Sequence, residues 1–251
     1  MNPIIPEWPV PDCVKAFSTL RDGGFSLSPY HGGISGTGGL NFGLHVGDDP
    51  VKVRENRALL KKMLPSEPVW LNQIHGVNVV DAAKCAGAPD ADASYTSAKN
   101  VVCVVMTADC LPVLLCASDG MVVASVHAGW RGLVAGVLEK AVEAVRKISG
   151  SEIMAWLGPA IGPDAFEVGE DVKIAFVRKD RRMSAAFKRN GTRDGKYLAD
   201  IYALARQILN GVGIVRIYGG DFCTVSDPGR FYSYRRDGVT GRMATGIWIA
   251  S

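Results

Sequence analysis

Three short apolar runs, Val69–Leu71, Val101–Met106 and Met121–Val126, break off abruptly at polar residues, glycine or proline, and a reactive side chain follows each one. These are His75 in Asn-Gln-Ile-His-Gly, Cys110 in Met-Thr-Ala-Asp-Cys-Leu-Pro, and His127 in Ser-Val-His-Ala-Gly-Trp-Arg-Gly. Short apolar runs bounded by turn residues read as buried strands, so the pattern calls for strand ends that converge. Two imidazoles and a thiolate are what an open metal site needs. The same residues equally suit a Cys–His nucleophile pair with the second histidine as a helper. The residues alone leave both readings open, and both are catalytic.

The context of the cysteines separates them. Cys103 and Cys116 lie inside apolar stretches and are expected to be small core residues. Cys110 stands next to Asp109, and an unpaired carboxylate is costly to bury. Six cysteines without a Cys-x-x-Cys pair or dense regular spacing do not make a disulfide framework in a chain of 251 residues. The proline-broken start, Met-Asn-Pro-Ile-Ile-Pro, lacks the basic region of a signal peptide. No apolar run reaches the length of a membrane span, so the expected setting is a reducing cytoplasm. A net charge of +3, from 28 basic and 25 acidic residues, argues against nucleic acid or a membrane surface as partner. The densest basic stretch, Arg178–Arg182, is interrupted by Asp180 and reads as a solvated helix end.

Along the chain, Val14–Ser18 predicts a strand and Arg21–Ser26 a turn. The segment His31–Gly47 carries glycine at 32, 33, 36, 38, 39, 43 and 47 and predicts a long functional loop. Asp48 and Asp49 cap a helix that Pro50 starts and Pro65 ends, with Val53, Arg57, Leu60 and Leu64 at helical spacing. Strands are predicted at Val69–Ile74, Val77–Val80, Val101–Met106 and Met121–Val126, and a site-lining or surface loop at Asp90–Ser94. One apolar stripe from Leu133 to Val145 predicts a single helix after Gly132, closed by Gly150, whose start near His127 places Arg131 to receive an anion. Further strands are expected at Ile153–Leu157, Ile214–Tyr218 and Ala244–Ile249, and a helix over Leu198–Leu209. Strands and helices alternate without a strict βαβ rhythm, and no repeat or boundary divides the chain. One α+β domain with mixed sheets, spanning 1–251, is expected.

Taken together, Asn72–Gly76, Thr107–Cys110 and Val126–Gly132 resemble the signature of the YfiH family, also called the laccase-domain or polyphenol oxidase family. Arg21–Gly24, Asn41–Asp48, Gly158–Gly162, Phe166–Val168 and Tyr234–Asp237 extend the resemblance over nearly the whole chain in family order. Two features depart from the family pattern: Leu20 stands where threonine is common, and the loop His31–Leu40 is longer than usual. The resemblance implies a four-layer α/β/β/α arrangement and a zinc site at His75, Cys110 and His127. It implies phosphorolysis of adenosine, inosine and methylthioadenosine, with adenosine deamination as a second activity. It further links bacterial relatives to removal of wrong amino acids from UDP-linked peptidoglycan precursors.

The oxidase name can be tested by counting. A multicopper laccase needs a trinuclear cluster held by many imidazoles. Of four histidines, only His31 and His45 remain once His75 and His127 are assigned. Copper oxidation would therefore be incidental to one His₂Cys site. Deamination would be an independent solution, because the His-x-Glu and Pro-Cys-x-x-Cys signature of nucleotide deaminases is missing. Asp109 is the candidate proton carrier, with a capping or ligand-supporting role as its alternative. Arg21, Arg131, Arg235 and Arg236 are candidate phosphate clamps. Asn41 and His45, from the matched loop segment, are placed with them on the substrate side. Phe231, Tyr232 and Tyr234 are candidate purine-stacking residues or core. A Cys110–His127 hydrolase acting on amide bonds, and a binding module without turnover, are the contrasting classes.

Overall fold

Side-chain alternation in one strand dictates the layering. All seven residues of β6 (Leu111–Ala117) are buried, and neighbours along a strand point to opposite faces. This strand must therefore be covered on both sides. Leu111, Val113 and Leu115 pack with helices, whereas Leu114 and Cys116 pack with a second sheet. The computed structural model describes residues 1–33, 38–190 and 194–251. Of the glycine-rich loop 31–47, residues 34–37 thus lie outside the described residues.

The strand β6 is central in a six-stranded mixed sheet of order β12-β8-β6-β7-β4-β3. Its members are β12 (Arg216–Gly219), β8 (Ile153–Leu157), β7 (Val123–Ala128), β4 (Ala93–Thr96) and β3 (Val79–Asp81). The pairs β12–β8 and β3–β4 are parallel and the rest antiparallel. Facing it is the antiparallel sheet β1 (Val14–Ser18), β13 (Met243–Ile249) and β5 (Cys103–Thr107). Val14, Cys103, Ile247 and Ile249 meet Leu114, Cys116 and Trp156 between the sheets. Outside the large sheet lie α3 (Val137–Arg146), α4 (Glu170–Lys179) and α5 (Ile201–Gly211). Outside the small sheet, Phe17, Val104, Met106 and Ala244 pack with Leu60 of α1 (Pro50–Lys61). The result is a single domain in four layers, α/β/β/α, with one mixed sheet facing one antiparallel sheet.

Several elements differ from the sequence expectation, each for a local reason. Pro112 reads as a strand end, yet it sits inside β6 opposite His127. His127 consequently lies within β7 rather than beyond its end. Val69–Ile74 forms no strand, only single bridges of Val69 to Cys103 and Asn72 to Asp90. The turn expected at Arg21–Ser26 is instead mostly strand β2 (Asp22–Ser26). The Asp90–Ser94 segment is not a free loop, since β4 begins at Ala93. The helix expected after Gly132 is two, α2 (Trp130–Ala135) and α3, broken where Gly136 takes a left-handed φ of 103°. The last predicted helix starts at Ile201, capped by Asp200, because Lys196–Ala199 forms β11. That strand joins β10 (Phe187–Arg189) and β9 (Glu167–Gly169) in a small third sheet. Among the described residues, no helix is long and apolar enough to cross a membrane.

Candidate metal centre and active site

The sheet pairing assembles the site. In the β6–β7 ladder Pro112 faces His127 and Leu111 faces Ala128, so Cys110 falls beside Gly129. The chain reaches Cys110 by crossing from the small sheet to the large one over Thr107–Cys110, with Asp109 at a φ of 85°. His75 arrives from a separate turn and also holds a positive φ, 59°. The turn is clasped by Gln73, whose amide exchanges two hydrogen bonds of 2.7 Å with the Met106 backbone.

One buried carboxylate organises two of the three side chains. Asp92 accepts from His127 Nδ1 at 2.8 Å and from the backbone N–H groups of His75 at 2.9 Å and Gly76 at 2.6 Å. Its own carbonyl takes the His127 N–H at 2.7 Å. Burial works against the Asp92 charge, but the hydrogen bonds from His127, Gly76 and His75 outweigh it and hold its pKa below the ordinary value. An ionised Asp92 holds a proton on His127 Nδ1 and turns Nε2 toward Cys110. This is the carboxylate–histidine pairing that orients metal ligands elsewhere.

The ligand atoms of His75, Cys110 and His127 lie within 4.8 Å of one another. Cys110 Sγ is 3.9 Å from His75 Nε2, and the two imidazole rings meet edge to face with centroids 4.8 Å apart. Burial raises the Cys110 thiol, yet His127 and His75 overcome it and bring it down to about 6. For His127 burial works the other way, and Cys110 and Asp92 push it up. Gly129 lets the ligands close in: a Cβ there would stand 3.1 Å from both Cys110 Sγ and His75 Cδ2 and push them apart by a few tenths of an ångström. Two neutral or ionisable nitrogens and a low-pKa thiolate converging on one point can hold a metal ion, with His75 exposed on the open side. By contrast Cys103 and Cys116 are buried in the core and pushed up to about 12 by burial.

Cavities open on both sides of the cluster and share His75, Ala108, Cys110 and Tyr234. One, of about 280 Å³, is walled by Trp130, Phe166, Ile161 and Ile201, with Asp109, Arg131 and Arg235 at its edge. The other, of about 380 Å³, is walled by His45, Gln73, Met106, His127 and Arg242. Asp109 gives one oxygen to Thr224 Oγ1 at 2.5 Å and the other to the Arg235 N–H at 2.6 Å. It thereby anchors α6 (Tyr234–Asp237) over the site.

The remaining candidates divide. Arg131, Arg235 and His45 line these cavities. Arg21 and Arg236 line a separate depression with His31, and both spend donors on backbone carbonyls, Arg21 on Pro228 and His31, Arg236 on Thr224, Val225 and Phe231. Asn41 is buried and bonded to Asp48 and to the Gly43 and Arg242 backbones. Of the three candidate stacking residues, Phe231 and Tyr232 are core and Tyr234 alone reaches the cavities. Thr224 and Arg242 were not anticipated, and Asp92 was expected only as part of a site-lining or surface loop at Asp90–Ser94, not as the carboxylate behind His127.

Comparison with known proteins shows the family. Residues 15–250 match the family model described as multi-copper polyphenol oxidoreductase laccase. The chain is 53% identical over 252 residues to the purine nucleoside phosphorylase YfiH of Shigella flexneri and 52% identical to that of Escherichia coli, with 98% of each chain covered. It superposes on a crystal structure of a Neisseria meningitidis protein with a TM-score of 0.92, at 48% identity and 100% coverage of both chains. YlmD of Geobacillus stearothermophilus gives a TM-score of 0.85 at 29% identity, covering 97% of this chain and 94% of that one. The chain belongs to the laccase-type polyphenol oxidoreductase family, the family of YfiH.

Proposed function

We propose, from membership of this family and the geometry around Cys110, that the chain is a zinc-dependent purine nucleoside phosphorylase, with 1–251 acting as one catalytic domain. It converts adenosine, inosine or methylthioadenosine and phosphate to the free base and the corresponding ribose 1-phosphate, and deaminates adenosine as a second outcome. The observation that carries the reading is the position of His75 and Cys110 on the wall shared by two cavities, with His127 lining one of them. Two compartments meeting at one point can hold two substrates in reacting geometry.

His75, Cys110 and His127 are the residues that would hold the ion, and the His₂Cys set suits zinc, while also accepting copper in vitro. A zinc ion held there supplies Lewis acidity at neutral pH. Trp130, Phe166 and Tyr234 offer aromatic faces for a purine. In phosphorolysis a phosphate oxygen bonds to C1′ while the C1′–N9 bond breaks and its electron pair leaves with the base. Asp109, with both oxygens engaged, acts in this reading by holding Tyr234 and Arg235 in place rather than by carrying protons. Arg131 and Arg235 edge the purine side.

The test is to incubate the pure protein with inosine, with and without phosphate, and to follow hypoxanthine by chromatography. Inosine carries no amine at C6, so hypoxanthine reports glycosidic cleavage alone. Phosphate-dependent release that disappears in Cys110→Ala is the expected result. One observation favours a second reading: the paired low-pKa thiol of Cys110 and the cationic His127 also suit a Cys hydrolase that removes wrong amino acids from UDP-linked peptidoglycan precursors. Amide cleavage that survives chelation and is lost on thiol alkylation would replace the first reading with the second.

A further inference from the structure

Arg242 is distinguished from Arg131, which likewise has no carboxylate partner among the described residues and lies over the Trp130 ring, by being partly buried where Arg131 is exposed. Arg242 Nη1 donates to the Thr240 and Gly241 carbonyls at 3.0 Å, whereas Nε and Nη2 have no acceptor among the described residues. It forms no ion pair with a carboxylate among the described residues. Arg235 and Arg236 differ, with guanidinium groups taken up by the Glu167 carbonyl and by Asp237 respectively.

The cavity beside Arg242 carries that guanidinium, and among the described residues lining it none is Asp or Glu. Arg57 lies behind, bonded to the Phe42 carbonyl and set over the Trp70 ring at 3.9 Å, with no carboxylate ion pair among the described residues. His45 feels both guanidinium groups, and partial burial with Arg242 and Arg57 holds its pKa below the usual histidine value. The acidic groups within reach of Arg242 are Cys110, Asp109, Tyr234 and Tyr30. Asp109 is already committed to Thr224 and the Arg235 N–H.

The wall is also built in place. Asn41 Oδ1 accepts the Arg242 N–H at 2.8 Å, and Gly43 sits so close to the arginine stem that a Cβ there would lie 3.0 Å from Cγ. The segment Asn41–Asp48 thus supplies His45 to the cavity and seats Arg242 within it. A guanidinium partly withdrawn from water, with two nitrogens unbonded and no carboxylate ion pair among the described residues, favours an oxyanion ligand, which its planar fork can bind through two donors.

We propose that phosphate occupies the His45–Arg242 cavity with Arg242 as its principal ligand, and that the purine occupies the Trp130–Phe166 cavity on the other side of Cys110. This inference rests on the phosphorolytic reading, and its test separates the two. Arg242→Gln should raise the phosphate KM about tenfold or more while the inosine KM changes less than about twofold. Arg242→Lys, which keeps the charge and the stem but not the fork, should give a smaller rise in phosphate KM. Arg131→Gln, on the purine side, should leave the phosphate KM unchanged. Calorimetric titration of inorganic phosphate into the zinc-loaded protein, without nucleoside, reads the same site independently of turnover. Phosphate binding that is lost in Arg242→Gln supports the subsite even if no inosine is cleaved, in which case only the phosphorylase reading falls. Phosphate binding and phosphate KM unchanged in both Arg242 variants, or no phosphate binding by the wild-type protein, overturns the inference.

Discussion

Replacing Asp92 by asparagine tests how the metal centre is organised without altering any of the three ligands. The carboxylate is fully buried and takes four donors: His127 Nδ1 and the His75 N–H on Oδ1, the Gly76 N–H and, more weakly at 3.3 Å, the Ile74 N–H on Oδ2. An amide keeps the shape but turns one acceptor into a donor. Whichever way it is flipped, either His127 Nδ1 or the Gly76 N–H then faces an N–H group. Losing one charge-assisted bond in a buried site costs about 1.5–3 kcal/mol. Loss of a carboxylate behind a metal-bound histidine weakens metal binding about 10–100-fold, which is about 1.4–2.8 kcal/mol at 1.4 kcal/mol per tenfold. The two routes agree. The expected result for Asp92→Asn is therefore a folded protein whose zinc Kd, read by competition with a chromogenic chelator at neutral pH, rises about 10–100-fold. Asp92→Ala strands every donor and should also lower stability by about 3–5 kcal/mol. Because the folded-state pKa of Asp92 lies below 3.8, its stabilisation is present above that value and is lost only as pH falls through the lower folded value. A folded Asp92→Asn protein that binds zinc as tightly as wild type would refute the reasoning.

Gly129→Ala places a methyl group 3.1 Å from Cys110 Sγ and His75 Cδ2; elemental analysis should find zinc content well below that of wild type while circular dichroism stays native. Gly136→Ala forces a left-handed φ of 103° on a residue with a side chain, at a cost of about 1–2 kcal/mol, which calorimetry should read as a Tm lowered by about 2–8 °C. In chelated protein the Cys110 thiol, lowered to about 6, is largely thiolate at neutral pH. Its alkylation by iodoacetamide should rise through pH 6 and flatten above 7, and a midpoint near the ordinary thiol value would contradict the His127 pairing.

The legible part of the fold was the part set by local pattern. Ile153–Leu157 and Val14–Ser18 form strands as read, and Asp49 with Pro50 starts α1 as expected. Elements governed by tertiary packing were misread. Pro112 is tolerated in β6 because its pairing with His127 asks no hydrogen bond of it, the His127 N–H going to Asp92, and the Gly158 carbonyl beside it accepts from Tyr202 instead. Gly136 interrupts a helix whose apolar stripe runs on through the break. The His75–Cys110–His127 grouping was visible because reactive residues stood where apolar runs stopped. Asp92 and Arg242 were not, since their roles depend on sheet pairing and on distant segments: Asp92 faces His127 across β4 and β7, and Arg242 is seated by Asn41 from the other end of the chain. Arg21 and Arg236 belong to matched motifs, yet their donors serve backbone carbonyls.

The central claim is that His75, Cys110 and His127 hold one catalytic zinc. It is tested most directly by returning zinc stepwise to chelated protein while measuring bound zinc and phosphate-dependent hypoxanthine release on the same samples. The account predicts release that rises in proportion to bound zinc and saturates at about one ion per chain, with neither binding nor release recovered in the Cys110→Ala, His127→Ala double variant. Full zinc binding by that double variant, or full release from the metal-free protein, would contradict it.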